Sequence, residues 1–326
     1  MKQGPGHGSR GWAALLLAIV WLTSGPADAD LYSVQVKAVP LDQRSVAIEL
    51  YRRLKADGHL AYYYMAPINR QMWVRVRVGA FESVDEAREF GERLSRQEAT
   101  EFFVAEAPMK VVERVGTRVL LVPSGVWLMH NDAYREIVRT GTHTEGQMVD
   151  VSVDVSHDGR RIAVMQGEAL SVFDAGTGEL LWRRDDVGSI MPRVRYSPDG
   201  AWLAFQPVRD FEGEFSLWLM SASGGEPRKL VDTQGTGQTV RSFAWHPDGE
   251  QLFFVRGGSW GTLSLGGSIL LTDLDGNVEV FREPSSDREQ LAGELEVRDR
   301  ILHYRIVRFD EEYINHTAMS AQISID

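Results

Sequence analysis

The feature that most constrains this chain is a short pattern that occurs three times. Val155-Ser156-His157-Asp158-Gly159 precedes Ile162-Ala163-Val164, Tyr196-Ser197-Pro198-Asp199-Gly200 precedes Leu203-Ala204-Phe205, and Trp245-His246-Pro247-Asp248-Gly249 precedes Leu252-Phe253-Phe254. From Asp158 to Asp199 is 41 residues and from Asp199 to Asp248 is 49. Asp-Gly favours a two-residue hairpin turn, because both central positions take positive φ and these residues tolerate it best. Each pair therefore joins two strands. Further strand-like segments follow in each unit: Leu170 to Asp174 with Leu180 to Arg183, Ser216 to Ser221 with Arg228 to Val231, and Ser268 to Asp273 with Val278 to Phe281. Four strands per repeat at this period predict β-propeller blades, units that bury their faces only by stacking on one another. Val111 to Gly141 and Arg298 to Ile325 are strand-rich and supply a divergent first and last blade, which makes about five. Ala321 to Ile325 is placed to complete a blade begun at the other end of the region.

Upstream of the repeats the periodicity changes. Tyr32 to Val39 alternates, with Val34 and Val36 on one face and Ser33, Gln35 and Lys37 on the other, as in a half-buried strand. Asp42 is a candidate cap for a helix with apolar Ala47, Leu50, Tyr51 and Leu54, and Gly58 stops it. Leu60 to Ala66 is strand-like. Trp73 to Val78 alternates strictly, with Val74, Val76 and Val78 opposite Trp73, Arg75 and Arg77. Ser83-x-x-Glu86 is a capping-box pattern for a second helix bearing Ala87, Phe90 and Leu94, and Glu101 to Ala107 is the last strand. The expectation is a small α+β module of order β-α-β-β-α-β, followed by an all-β propeller.

Both helices must cover the valine face, the only apolar one, so the opposite face is expected to meet solvent. On it stand Gln35, Lys37, Trp73, Arg75 and Arg77, joined either by Tyr62 and Tyr64 or by Tyr63, of which Tyr63 is taken as the site residue. An aromatic ring beside amide and guanidinium groups suits a sugar: the ring meets the C–H side of a pyranose and the polar groups bond its hydroxyls. Packing of Trp73 over arginine stems is the structural alternative.

Tyr32-Ser33-Val34-Gln35-Val36 and Trp73-Val74-Arg75-Val76-Arg77-Val78-Gly79-Ala80-Phe81 resemble the two signature strands of SPOR domains, and the resemblance extends over residues 31 to 107. It implies a bacterial envelope module that binds peptidoglycan glycan strands stripped of stem peptides, which accumulate at division septa. Gln35 falls at the family's recurrent first-strand glutamine, and Trp73 and Arg75 fall on its third-strand platform. Ala38-Val39-Pro40 departs from the Gly-aromatic pair that often follows the first strand. The repeats in turn resemble those of TolB-like propellers, and Phe173 to Trp182 is similar to a quinoprotein-type blade motif.

Lys2 and Arg10, an apolar run from Trp12 to Leu22, the breakers Gly25 and Pro26 and then Ala27-Asp28-Ala29 predict a cleaved signal peptide over residues 1–29. No transmembrane segment is expected after cleavage. The predicted domains are 30–107 and 108–326. There is no cysteine, which excludes disulfides and thiolate metal sites. Residues 31–107 hold 11 Lys+Arg and 11 Asp+Glu and residues 108–326 hold 22 and 33, so the net charge of −11 lies in the propeller region. That excess disfavours nucleic acid as a partner. The three turn aspartates read as structural and Asp310-Glu311-Glu312 as solvated surface charge. No catalytic constellation, metal site or cofactor is expected. The leading expectation is a non-enzymatic periplasmic adaptor, its first domain on glycan strands and its propeller presented to an unidentified envelope protein. The alternatives are an envelope enzyme holding a sugar or quinone cofactor in the propeller channel, and a TolB-like assembly scaffold without glycan binding.

Overall fold

A computed structural model of the chain describes residues 31–98, 100–130, 133–140, 151–187, 192–207, 213–260, 263–311 and 316–325. The expected signal peptide lies outside the described residues. The first module runs β1 (Tyr32–Pro40), α1 (Arg44–Ala56), β2 (Ala61–Ile68), β3 (Gln71–Phe81), α2 (Val84–Glu98) and β4 (Phe103–Glu106), in the expected order. Its sheet has the strand order β2-β3-β1-β4. Val34, Val36, Val39, Val74, Val76 and Val78 form one buried cluster with Ala47, Tyr51 and Leu54 of α1 and Ala87 and Leu94 of α2, so both helices lie on the valine face. The capping box is half formed: Ser83 Oγ accepts the Glu86 N–H at 3.2 Å. Asp42, by contrast, is not the cap of α1. The tight turn after Pro40 takes up Leu41–Gln43 as a 3-10 segment, and Gln43 holds the cap position without a side-chain hydrogen bond.

Residues 110–324 form four antiparallel sheets in succession, three of four strands and a last one of seven. The first is β5 (Lys110–Arg114), β6 (Thr117–Val122), β7 (Gly125–His130) and β8 (Ala133–Arg139); the second is β9 (Val151–Val155), β10 (Arg161–Gln166), β11 (Ala169–Asp174) and β12 (Leu180–Asp185). The third is β13 (Arg193–Tyr196), β14 (Trp202–Gln206), β15 (Leu217–Ser221) and β16 (Arg228–Val231); the fourth is β17 (Gln238–Trp245), β18 (Gln251–Trp260), β19 (Leu263–Asp273) and β20 (Val278–Arg282). β21 (Glu289–Arg298), β22 (Ile301–Phe309) and β23 (His316–Ser324) continue the fourth sheet, with β21 joined to β19 at Leu291–Gly267. Successive sheets share apolar clusters: Val126 and Leu128 with Val153 and Ile162, Leu170 and Val172 with Val194 and Phe205, and Leu219 with Val240 and Phe254; within the last sheet Phe253 packs with Leu291 and Leu302. This is the stacking that blades require. The expected closure by Ala321 to Ile325 is not formed among the described residues. Instead β23 pairs along β22 from Ile301–Ser324 to Phe309–His316, a neighbour that a short hairpin brings within reach first.

The three Asp-Gly hairpins join β9 to β10, β13 to β14 and β17 to β18, but through longer turns than the two-residue type. In the first, the Gly159 N–H donates to the Ser156 carbonyl and the Ser156 N–H to the Arg161 carbonyl, each at 2.9 Å. Only the glycines take positive φ: Gly159 at 70°, Gly200 at 71° and Gly249 at 79°. The aspartates act as local acceptors. Asp158 takes the Arg160 N–H at 3.0 Å, Asp199 the Ala201 N–H at 3.0 Å and Asp248 the Glu250 N–H at 2.8 Å. Their role is structural, through side-chain acceptance rather than left-handed backbone.

The face of the first module opposite its helices is not left wholly to solvent. Leu60, Tyr62, Tyr64 and Ala66 are buried in one cluster with Leu120 and Val122 of β6 and Trp127 of β7. The β2 column is therefore docked on the first blade. Around it, Glu136 of β8 accepts from the Tyr51 hydroxyl at 3.3 Å, from Arg139 at 3.4 Å and from Lys55.

Candidate functional site

The pairing of β1 and β2 with β3 fixes which side chains share the helix-free face. Tyr62, Arg77, Gln35 and Phe103 form one row across the sheet, Tyr64, Arg75 and Ala38 the next, and Ala66, Trp73 and Pro40 the third. Docking on the first blade covers the β2 end of every row. What stays accessible is a strip along β3, β1 and β4 in which Gln35, Trp73 and Arg75 are half-buried and Phe103 is 63% exposed. A shallow groove beside it is lined by Tyr32, Arg77, Phe103, Ala105 and Pro108.

Two expected site residues, Tyr63 and Lys37, fall elsewhere. Tyr63 is paired with Val76 and faces the valine side, where its ring meets that of Tyr51 edge-on at 5.0 Å and 62°. Tyr62 and Tyr64 are the tyrosines of the Trp73 face, but both are fully buried by the blade. Lys37 leaves the Gln35 face because β1 bulges: the register passes from Gln35–Arg77 to Lys37–Val76, which sets Val36 and Lys37 against one partner. The sequence carries the signal for this, since Val34, Val36 and Val39 are all buried and cannot share a face of an unbroken strand. Arg77 does stand on the face, but only 5% of it is exposed. Its guanidinium donates to the Ser33 hydroxyl at 3.3 Å and to the Glu106 carbonyl, and lies 5.4 Å from the Tyr64 ring centre. It forms the floor of the strip and braces β1 against β4.

Phe103 was not among the expected residues. Its neighbours Phe102 and Val104 pack with the helices, so alternation alone places Phe103 opposite them, beside Gln35. The strip thus presents two aromatic side chains, an amide and a guanidinium, the groups needed to take a sugar ring edge and face. Burial pushes the Tyr62 hydroxyl well above the ordinary tyrosine range. Burial and then the Glu136 carboxylate push Tyr51 up to about 12.

In the propeller region Gly257-Gly258-Ser259-Trp260-Gly261 satisfies the spacing G-x-S-x-G, a hydrolase-type match at odds with the expectation of no catalytic constellation. A nucleophile elbow needs a strand, a sharp turn and a helix. Here Ser259 pairs with Ser264 in the β18–β19 hairpin, and β19 follows in place of a helix. Glu311 of the acidic cluster is a surface group paired with Arg288 at 3.5 Å. No described helix is long and apolar enough to cross a membrane.

Comparison with known proteins gives a match of residues 28–105 to the family model described as SPOR domain. A stretch of 62 residues is 47% identical to the uncharacterized protein YidR of Escherichia coli (strain K12), covering 19% of this chain and 14% of that protein. Another of 139 residues is 32% identical to the uncharacterized peptidase YuxL of Bacillus subtilis (strain 168), covering 39% of this chain and 19% of that protein. The chain thus spans less than a fifth of the length of either relative. Among solved structures, the β-propeller domain of the Trilobed protease from Pyrococcus furiosus aligns with TM-score 0.46 and 8% identity over 82% of this chain and 81% of that one. The acylaminoacyl peptidase of Pyrococcus horikoshii aligns with TM-score 0.42 and 11% identity over 82% and 46%. Residues 28–105 are a SPOR domain, joined in this chain to a propeller-like region of four sheets.

Proposed function

We propose that this chain is a non-enzymatic periplasmic protein that binds denuded peptidoglycan glycan strands through Gln35, Trp73 and Arg75, and that it acts in cell division or envelope maintenance. The observation that carries this reading is the accessible strip of aromatic, amide and guanidinium groups on a SPOR domain. Phe103 extends the strip, and Arg77 supports it from below. The propeller region is a rigid platform whose outer faces serve a partner protein of the envelope. Because its first blade is fixed to the β2 column, the platform and the glycan site are held in one orientation.

A second reading, an envelope enzyme, draws on the likeness to YuxL, which is named a peptidase. The hairpin setting of the G-x-S-x-G match weighs against an active serine there. The test is a pulldown of the full chain with purified sacculi. Amidase-treated sacculi, stripped of stem peptides, are expected to retain more protein than intact ones. Equal retention by both removes denuded strands as the ligand, and retention by neither removes glycan binding.

A further inference from the structure

Strands β5, β9, β13, β17 and β21 adjoin one another in turn about the propeller axis, as their mutual contacts show. Ser152 Oγ and Asp154 Oδ2 of β9 accept the Val194 and Tyr196 N–H groups of β13 at 3.2 and 2.7 Å. Trp245 of β17 donates to the Arg195 carbonyl at 3.2 Å, and Ser242 Oγ of β17 accepts the Leu295 N–H of β21 at 2.7 Å. Into this axis β13 sends Arg193 and Arg195, two residues apart and so on one face.

Two breaks in register add to them. The β17–β18 pairing shifts between Val240 and Ser242, at Arg241, and the β21–β22 pairing shifts between Ala292 and Glu296, around Glu294. Gly293, at φ 83°, supplies the left-handed residue of the second break. Bulges re-aim a side chain at the cost of ladder bonds, and here two on adjacent inner strands fall at Arg241 and around Glu294, both of which lie within reach of the charge of Arg193. Glu294 meets Arg195 at 2.9 Å, and each of these side chains keeps 32% exposure, so solvent reaches them. Burial pushes the Glu294 carboxyl up, but Arg195, Arg193 and Lys110 outweigh it and hold the group ionised.

Arg241 is differently placed. It donates to the Gly258 carbonyl at 2.9 Å, and its Nε is buried with no partner among the described residues. Burial, and then the charge of Arg193, push it down to about 10. A guanidinium in that setting is unfavourable unless an anion offsets it. Its planar fork matches a carboxylate through two parallel hydrogen bonds.

We propose that the cluster of Arg193, Arg195 and Arg241 on the inner strands is a binding site for a small organic carboxylate, which Arg241 engages with Arg193 beside it, and that Glu294 is a built-in carboxylate competing for Arg193 and Arg195. The site is separate from the glycan strip and stands whether or not that strip binds sugar.

Citrate titrated into the full chain, against sodium chloride of equal ionic strength, tests the site by calorimetry and thermal melting. Saturable one-to-one binding is expected. Arg241→Gln should weaken it at least tenfold, and Glu294→Gln should tighten it severalfold by removing the competitor. A wild-type chain without saturable binding overturns the proposal, as does a folded Arg241→Gln chain that binds citrate equally well. If Arg241→Gln fails to fold, Glu294→Gln decides: unchanged or weaker citrate affinity overturns the proposal.

Discussion

Replacing Tyr64 by phenylalanine removes one oxygen from the centre of the contact between the SPOR domain and the first blade. The ring is fully buried against Leu120, Val122 and Trp127, and the hydroxyl has no partner among the described residues. A buried polar group without a hydrogen bond costs about 1–3 kcal/mol, while the ring contacts and its 5.4 Å approach to Arg77 survive the change. Tyr64→Phe is therefore expected to stabilise the contact by about 1 kcal/mol. Tyr51→Phe is the contrast. Its hydroxyl donates to the Glu136 side chain at 3.3 Å, a bond worth about 1.5 kcal/mol at this length. Lys55 and Arg139 still serve Glu136 after the change, so a loss of about 1 kcal/mol is expected. Native-state hydrogen exchange at the amides of β2 and β7 in the full chain reads the contact directly, as protection rising about fivefold for one variant and falling about fivefold for the other, at RT ≈ 0.6 kcal/mol. A loss of 1 kcal/mol or more on Tyr64→Phe would show that the hydroxyl is bonded and that the contact differs from the one described.

Three further outcomes are expected. Tyr51 has a folded pKa of about 12 against an unperturbed value of about 10; its neutral form is the one favoured by folding, so its contribution is whole below pH 10 and is lost as pH rises to 12. About 3 kcal/mol is at stake at the blade contact, and urea melts at pH 9 and pH 12 on wild type and Tyr51→Phe check it: a wild-type loss no larger than the variant's would refute it. Residues 30–107 expressed alone should keep protected amides in the valine core but associate with rising concentration, because Leu60, Tyr62, Tyr64 and Ala66 lose their cover; a monomeric fragment in sedimentation at high concentration speaks against the docked face. Tyr63→Ala should cost about 3 kcal/mol of stability and leave glycan binding of the folded protein unchanged, and a selective loss of binding would place the ring on the strip after all.

The strands and helices of the SPOR domain were legible because one face of each is apolar, and the repeats were legible because three hairpins use the same turn residues. Placement on the face was harder. The valine alternation located Trp73, Arg75 and Arg77, but one inserted residue in β1 moved Lys37 off the face while leaving Gln35 on it. The run Tyr62-Tyr63-Tyr64 has no polar member to set its phase, so sequence could not choose among them. Nor does local pattern reveal that β2 docks on β6 and β7, since that contact joins segments some 60 residues apart and depends on where the whole first blade sits. Arg241 and Glu294 were silent for the same reason: bulges, not alternation, aim them.

The most direct test of the central claim is the affinity of the full chain for purified denuded glycan strands, measured with thermal melts on wild type, Trp73→Ala and Gln35→Ala. An exposed aromatic anchor contributes about 2 kcal/mol or more, so Trp73→Ala is expected to weaken binding roughly thirtyfold with a melting curve close to wild type. Wild-type affinity in both folded variants would contradict the site, and a loss of binding that merely tracks a lowered melting temperature would make Trp73 a packing residue.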